Sequence, residues 1–281
     1  MSEVVDAHHH LWDPTGRDYP WMTGSAAVLR RPETVDDLRR ETSSAGVSRT
    51  VLVQTVAELA ETEEFLVTSA GSDGLIAGVV GWADLRSPDV GDTLDRLRAG
   101  PGGDRLVGIR HQVHDEPDPD WLDQPCVLRG LGALAERGLC FDLLVRSREL
   151  PSALRVARAR PQVSFVVDHA AKPAIAQREV EPWASRLAEL AGLANVTCKL
   201  SGLVTEAPTG SWTVADLAPY TARLLEWFGP GRLMFGSDWP VCTLAADYAG
   251  VLDTARTLLA GLSPAETASV FSNTASRVYH L

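Results

Sequence analysis

Three of the seven histidines stand in one run, "DAHHH" at residues 6–10. An imidazole can donate, accept, ligate a metal, or change charge near neutral pH. His8 and His10, at H-x-H spacing, suit a divalent ion or an anionic oxygen. The same spacing also occurs in hydrogen-bonded structural histidines. A further histidine, His169, follows Asp168 in "VVDHAAKP" (166–173), and Asp238 stands in "FGSDWP" (235–240). An aspartate there can take a proton from water or cap the next helix.

Other polar residues interrupt apolar runs: Gln54 in "VLVQT", Arg110 in "GIRHQ", Asp142 in "CFDLLV" and Lys199 in "TCKLSG". Long charged side chains are seldom fully buried without a partner. An Arg110–Asp142 or Lys199–Asp238 pair would satisfy them, and so would an oxygen-rich ligand. Trp12, Trp82 and Trp239 are candidates to wall a pocket, where an indole stacks on the C–H face of a sugar, or to fill the core.

Eight β-like runs recur, at 3–10, 49–55, 75–85, 105–113, 139–145, 163–170, 195–202 and 232–240. They are rich in Val, Ile, Leu and Phe, as strands buried on both faces should be. Helix-like segments fall at 32–46, 124–138, 147–161, 181–194 and 214–229, with two more near 245–261 and 263–280. Pro264 after Ser263 has the form of a helix start. Eight strands alternating with helices predict a closed, single-domain (β/α)8 TIM barrel over 1–281. No Gly-rich phosphate loop follows the first strand, which disfavours an open doubly wound sheet. Chemistry in such a barrel sits at the C-terminal strand ends, rimmed by long βα loops, here 11–31, 114–123 and 203–213. Strand alternation predicts Asp6, His8 and His10 on the lumen face, with Ala7 and His9 on the other.

Bulk properties exclude other classes. A net charge of −11 argues against a nucleic-acid surface. Cys126, Cys140, Cys198 and Cys242 form no CxxC, and read as free thiols. No run of about 18 apolar residues exists to span a membrane, and no basic-then-apolar leader opens the sequence. A cytoplasmic protein is the expectation.

Taken in order, "DAHHHLWDP", "YPWM", "VGIRHQV", "DPDWL", "VVDHAAKP", "KLSGL" and "FGSDWPV" resemble the amidohydrolase superfamily over nearly the whole chain. The nearest likeness is the amidohydrolase 2 branch, which contains sugar-acid lactonases such as L-fuconolactonase and L-rhamnonolactonase, and dicarboxylate lactonases. The resemblance implies a carboxylic-ester hydrolase of carbohydrate metabolism that opens a small-molecule lactone. It places His8 and His10 at the family's first-strand pair, His169 at its sixth-strand histidine and Asp238 at its eighth-strand aspartate. The fourth and fifth strands lack the lysine or glutamate and the histidine that complete a two-metal site in many members. One divalent metal, zinc first, held by His8, His10, His169 and Asp238, or none, is therefore expected.

In this reading Asp238 activates water while His8, His10 and His169 polarise the carbonyl. Arg110, Lys199, Gln54 and Asp142 bind substrate oxygens, and Trp82 and Trp239 wall the pocket. The alternatives are a dicarboxylate lactone hydrolase, a metal-dependent decarboxylase of the same superfamily, and a silent sugar-acid-binding barrel.

Overall fold

The computed structural model describes residues 3–281. Eight parallel strands pair in sequence order: β1 Val5–His9, β2 Arg49–Val53, β3 Ile76–Gly81, β4 Leu106–His111, β5 Cys140–Leu143, β6 Phe165–Val167, β7 Val196–Leu200 and β8 Leu233–Phe235. The seam between the first and last strands closes just beyond β8. Asp238 N donates to His8 O at 2.8 Å and His10 N donates to Trp239 O at 2.7 Å. The result is a TIM barrel, each strand falling inside its predicted run.

Helices α1 Val35–Ala45, α2 Leu59–Ala70, α3 Val90–Ala99, α4 Pro125–Glu136, α5 Leu150–Ala159 and α6 Trp183–Ala191 surround the sheet. They are followed by α7 Leu203–Glu206, α8 Val214–Phe228, α9 Tyr248–Leu258, α10 Pro264–Ala268 and α11 Thr274–Tyr279. The first helix shows why the ends fall where they do: Thr34 and Asp37 form a reciprocal cap, and Gly46 ends it at φ 72°. The single helix expected over 263–280 is broken by a π turn at Ser269–Asn273, which turns Val270 and Phe271 into the core. Helices α2 and α3 and the short α7 were not among the predicted segments. Among the described residues no helix is long and apolar enough to cross a membrane, and all four cysteines are free.

Two apolar layers result. The larger fills the space between sheet and helices. The smaller fills the barrel floor, where Val5, Ala7, Val51, Val53, Val80, Cys140, Val166 and Met234 meet Tyr279 of α11.

That inner layer corrects the simple alternation expected for β1. Asp6 pairs with Thr50 and His9 with Leu52, three steps against two, so β1 carries one extra residue. This is a β-bulge, which re-aims the side chains that follow it. Ala7 joins the floor, while Asp6 turns outward with His9. His8 and His10, beyond the bulge, still face the lumen. Asp6 then ties the seam: it accepts from Ser237 N at 2.8 Å, Ser237 Oγ at 2.6 Å and Tyr248 Oη at 2.9 Å. Burial pushes its carboxyl up to about 6 against those bonds.

Candidate active site

A cavity of about 150 Å³ opens at the C-terminal end of the strands. Its base holds His10, Arg110, His169 and Asp238; its sides hold Trp21, Thr55, Gln112, His114, Asp115, Leu144, Lys172 and Val241.

The imidazoles and Asp238 converge there. His8 Nε2 lies 3.2 Å from His10 Nε2. Asp238 Oδ1 lies 3.5 Å from His10 Nε2 and 3.8 Å from both His8 Nε2 and His169 Nε2. His8, His10 and Asp238 could together hold one ion, and so could His8, Asp168 and His169. Burial lowers the pKa of all three histidines, that of His169 to about 4. Burial opposes the charge on Asp238, but the surrounding imidazoles outweigh it and hold the carboxyl below the usual carboxylate range. His169 Nε2 is the nitrogen able to present an N–H to Asp238, because its Nδ1 is engaged by Ser201 Oγ at 2.9 Å.

Backbone strain marks the two later strand ends. Residues 169–172 (His169, Ala170, Ala171, Lys172) have φ between 50° and 58°, a left-handed turn built without glycine. Each such residue costs roughly 1–2 kcal/mol in isolation, so its surroundings must impose the turn. Lys172 N closes it on His169 O at 2.8 Å, and Trp183 Nε1 grips Ala170 O at 2.7 Å. The turn aims both His169 and Lys172 into the cavity. Asp238 has φ 59° as well. Strain of this kind concentrates at functional positions.

The lumen charges are paired differently from the expected Arg110–Asp142 and Lys199–Asp238. Arg110 Nη1 pairs with Asp168 Oδ2 at 3.0 Å, and Lys199 Nζ pairs with Asp142 Oδ2 at 2.6 Å and Asp168 Oδ1 at 3.0 Å. Asp238 instead faces His8, His10 and His169, and Lys199 does not pair with it. Arg110 runs up to the mouth, away from its register partner Asp142. Burial pushes Asp142 up to about 6, whereas two cations and His8 overcome burial to hold Asp168 well below its ordinary value.

Of the predicted substrate contacts, only Arg110 lines the cavity. Lys199 and Asp142 are wholly buried beneath it. Gln54 is buried too, braced against Arg110 Nη2 at 3.1 Å and Gln112 at 3.0 Å. Trp82 turns its indole N–H to His111 at 3.1 Å, and Trp239 lies in the seam opposite His9. Trp12 stacks behind His10 at 6.3 Å. The tryptophan on the cavity is Trp21, whose Nε1 has no partner among the described residues.

Trp21, His114, Asp115 and Lys172 also line the cavity and are not among the site residues that the sequence predicts. One signal for Lys172 was present: the chain has only two lysines, Lys172 and Lys199, among 26 basic residues. Where arginine serves the surface, a retained lysine draws notice.

Both cations on the cavity are already matched. Arg110 faces Asp168, and Lys172 Nζ pairs with Glu206 Oε1 at 3.1 Å. Asp115 and Asp238 add negative charge. Such a lining suits a neutral, hydroxyl-rich molecule better than a polyanion.

The family described as Amidohydrolase matches residues 5–281. The chain is 38% identical over 291 residues to an L-fucono-1,5-lactonase of Burkholderia multivorans, covering 99% of this chain and 96% of that one. It is also 38% identical over 248 residues to an L-fucono-1,5-lactonase of Burkholderia ambifaria, covering 88% and 84%. A crystal structure of an amidohydrolase from Burkholderia multivorans with bound Zn superposes over 100% of both chains with a TM-score of 0.93, at 36% identity.

Proposed function

This chain belongs to the amidohydrolase family, and from that premise we propose that it hydrolyses the ring ester of a neutral sugar-acid lactone, of the L-fucono-1,5-lactone type that its relatives' names state. The charge-matched cavity carries the choice of a neutral lactone over a dicarboxylate.

A lactone needs a base for water, stabilisation of charge on the carbonyl oxygen, and a proton for the leaving alkoxide. Asp238 is the base. Water gives it a proton and attacks the carbonyl carbon. The developing oxyanion takes hydrogen bonds from Arg110 and His169, both on the cavity base. As the ring C–O bond breaks, Asp238 returns the proton to the leaving oxygen, and the product is the open hydroxy acid. His169 and His8, each 3.8 Å from Asp238 Oδ1, flank the carboxylate and favour its ionised form. Trp21 stacks on the substrate's C–H face, and Lys172, His114 and Asp115 meet its hydroxyls.

A divalent ion such as Zn²⁺ fits the same donors. The distances among His8 Nε2, His10 Nε2 and Asp238 Oδ1 run from 3.2 to 3.8 Å. The edge of a tetrahedron with bonds of 2.0–2.1 Å is about 3.3 Å. His10 Nδ1 meets the Val53 carbonyl at 2.8 Å, so its hydrogen is there and Nε2 is bare. When bound, the ion would act as a Lewis acid and acidify water.

The test is a proton-release assay over neutral aldonolactones and dicarboxylate lactones, with and without chelator. Turnover of a neutral aldonolactone is expected. Failure on every neutral lactone alongside turnover of a dicarboxylate one would overturn the reading.

A further inference from the structure

The cavity over the strand ends has a neighbour. A second cavity, of about 470 Å³, lies between the first long loop and the segments that follow β2 and β4. Trp21, Thr55, Gln112 and Asp115 line both, so the two adjoin at these four residues. The first cavity, at about 150 Å³, falls short of the roughly 300–1,000 Å³ usual for a small-molecule site. Joined to its neighbour, it reaches that range.

Two of the shared residues are already engaged. Gln112 Nε2 donates to Thr55 O at 2.9 Å, and Gln112 Oε1 accepts from Gln54 Nε2 at 3.0 Å. Thr55 Oγ1 donates to the buried Glu61. Trp21 differs. It is held by an edge contact with Trp12, ring centres 5.4 Å apart, and its buried Nε1 has no partner among the described residues. A buried N–H costs free energy until an acceptor meets it. A substrate oxygen at the junction of the two cavities would be that acceptor.

The second lining selects the class of ligand. Asp18, Glu58, Asp115 and Glu116 contribute to it. Each carboxylate has one basic partner: Arg30 at 2.7 Å, Arg17 at 3.1 Å, His114 at 3.2 Å and His111 at 2.7 Å, in that order. Among the described residues the lining holds no lysine or arginine. A carboxylate bonded once keeps lone pairs for further donors. The wall therefore offers acceptors without a free cation, which suits a neutral group rich in hydroxyls and disfavours an anion.

We propose that the second cavity is a subsite for a neutral glycosyl group carried on a hydroxyl of the lactone, so that the enzyme takes disaccharide-acid lactones (aldobionolactones) as well as simple aldonolactones. This deepens the proposed function and rests on it for the lactone end. The bond broken is still the ring ester. The glycosidic bond stays intact, and the product is the open hydroxy acid with its glycosyl group. An oxygen of that group accepts from Trp21 Nε1, and its hydroxyls donate to the carboxylates beyond.

Calorimetry compares a neutral disaccharide alditol with its monosaccharide alditol, neither of which has an ester to open. The disaccharide is expected to bind about tenfold tighter, the scale of one or two added contacts. In the proton-release assay, kcat/KM for an aldobionolactone should exceed that of the simple lactone by the same factor, through KM with kcat unchanged. Ala57 is exposed and lines the second cavity but not the first. Ala57→Leu adds branched bulk there without a stacking face. It should melt like the wild type, keep the monosaccharide values and lose the disaccharide advantage. Equal binding of the two alditols by the wild type overturns the proposal, and needs no variant to fold. So does an advantage that survives in folded Ala57→Leu. The alditol comparison involves no hydrolysis, so this inference and the hydrolase reading fail separately.

Discussion

Gly202 stands against the ring of His169: a Cβ at position 202 would lie 2.6 Å from His169 Nδ1 and 2.9 Å from its Cβ, on a backbone with φ 65°. The second residue after β7 is thus clear of side chain where the left-handed turn after β6 delivers its imidazole. Ser201, just before it, bonds His169 Nδ1 at 2.9 Å. Gly202→Ala should displace the ring and strain the backbone, costing about 1–2 kcal/mol of stability from the left-handed φ alone. Displacement by about 1 Å can cost on the order of 100-fold in rate. Melting curves and kcat/KM measure the two effects, and full activity in the alanine variant would contradict the placement of His169.

Asp238→Asn should fold normally and lose about 10²–10⁴-fold in kcat, the usual cost of removing a general base. Retention of more than about a tenth of wild-type kcat would remove Asp238 from that role.

Glu206 determines whether Lys172 is free to meet an anion. Glu206→Gln keeps the shape but releases the ammonium. The ratio of kcat/KM for carboxylate-bearing over neutral lactones should rise, by about tenfold if one charged contact is gained. An unchanged ratio would mean that Lys172 does not sense substrate charge.

Glu61 offers a pH test away from the histidines. It is buried at the start of α2, accepting from Thr55 N at 2.8 Å and Val56 N at 3.2 Å. Burial pushes its carboxyl up to about 6, against those bonds. The folded protein therefore holds this proton between about pH 6 and 4.5, where an unfolded chain has released it. Wild-type stability gains from Glu61 as pH falls through that window and loses the gain as pH rises above about 6. Glu61→Gln does not titrate. Relative to it, the wild type should be more stable at pH 4.5 than at pH 7.5 by about 1.5 kcal/mol. Urea melts at both pH values measure the difference, and a gap of opposite sign would rule out a raised pKa.

The barrel and the strand ends of β6 and β8 were legible because strands buried on both faces are apolar runs. A polar residue closing such a run, as at Asp168–His169 and Asp238, stands out from it. The bulge in β1 was not legible. It resides in the pairing of Asp6 with Thr50 and His9 with Leu52, and the residue types on β1 alone do not reveal it. Lumen pairing was half legible. That Arg110, Asp142 and Lys199 needed partners followed from burial, but which partners depended on depth along the axis. Trp21 lay hidden in a long loop without period. Lys172 depended on a left-handed turn that alanines do not announce.

The seam at Asp6 bears on how the protein comes to be active. Its ties to Ser237 and Tyr248 join positions 231 and 242 residues apart. His8 and His10 meet Asp238 across the same seam. Contacts of such high order form only after the intervening chain has been brought into register. Every half-made barrel has exposed strand edges and no site. Catalytic competence therefore requires the circle of strands to be joined.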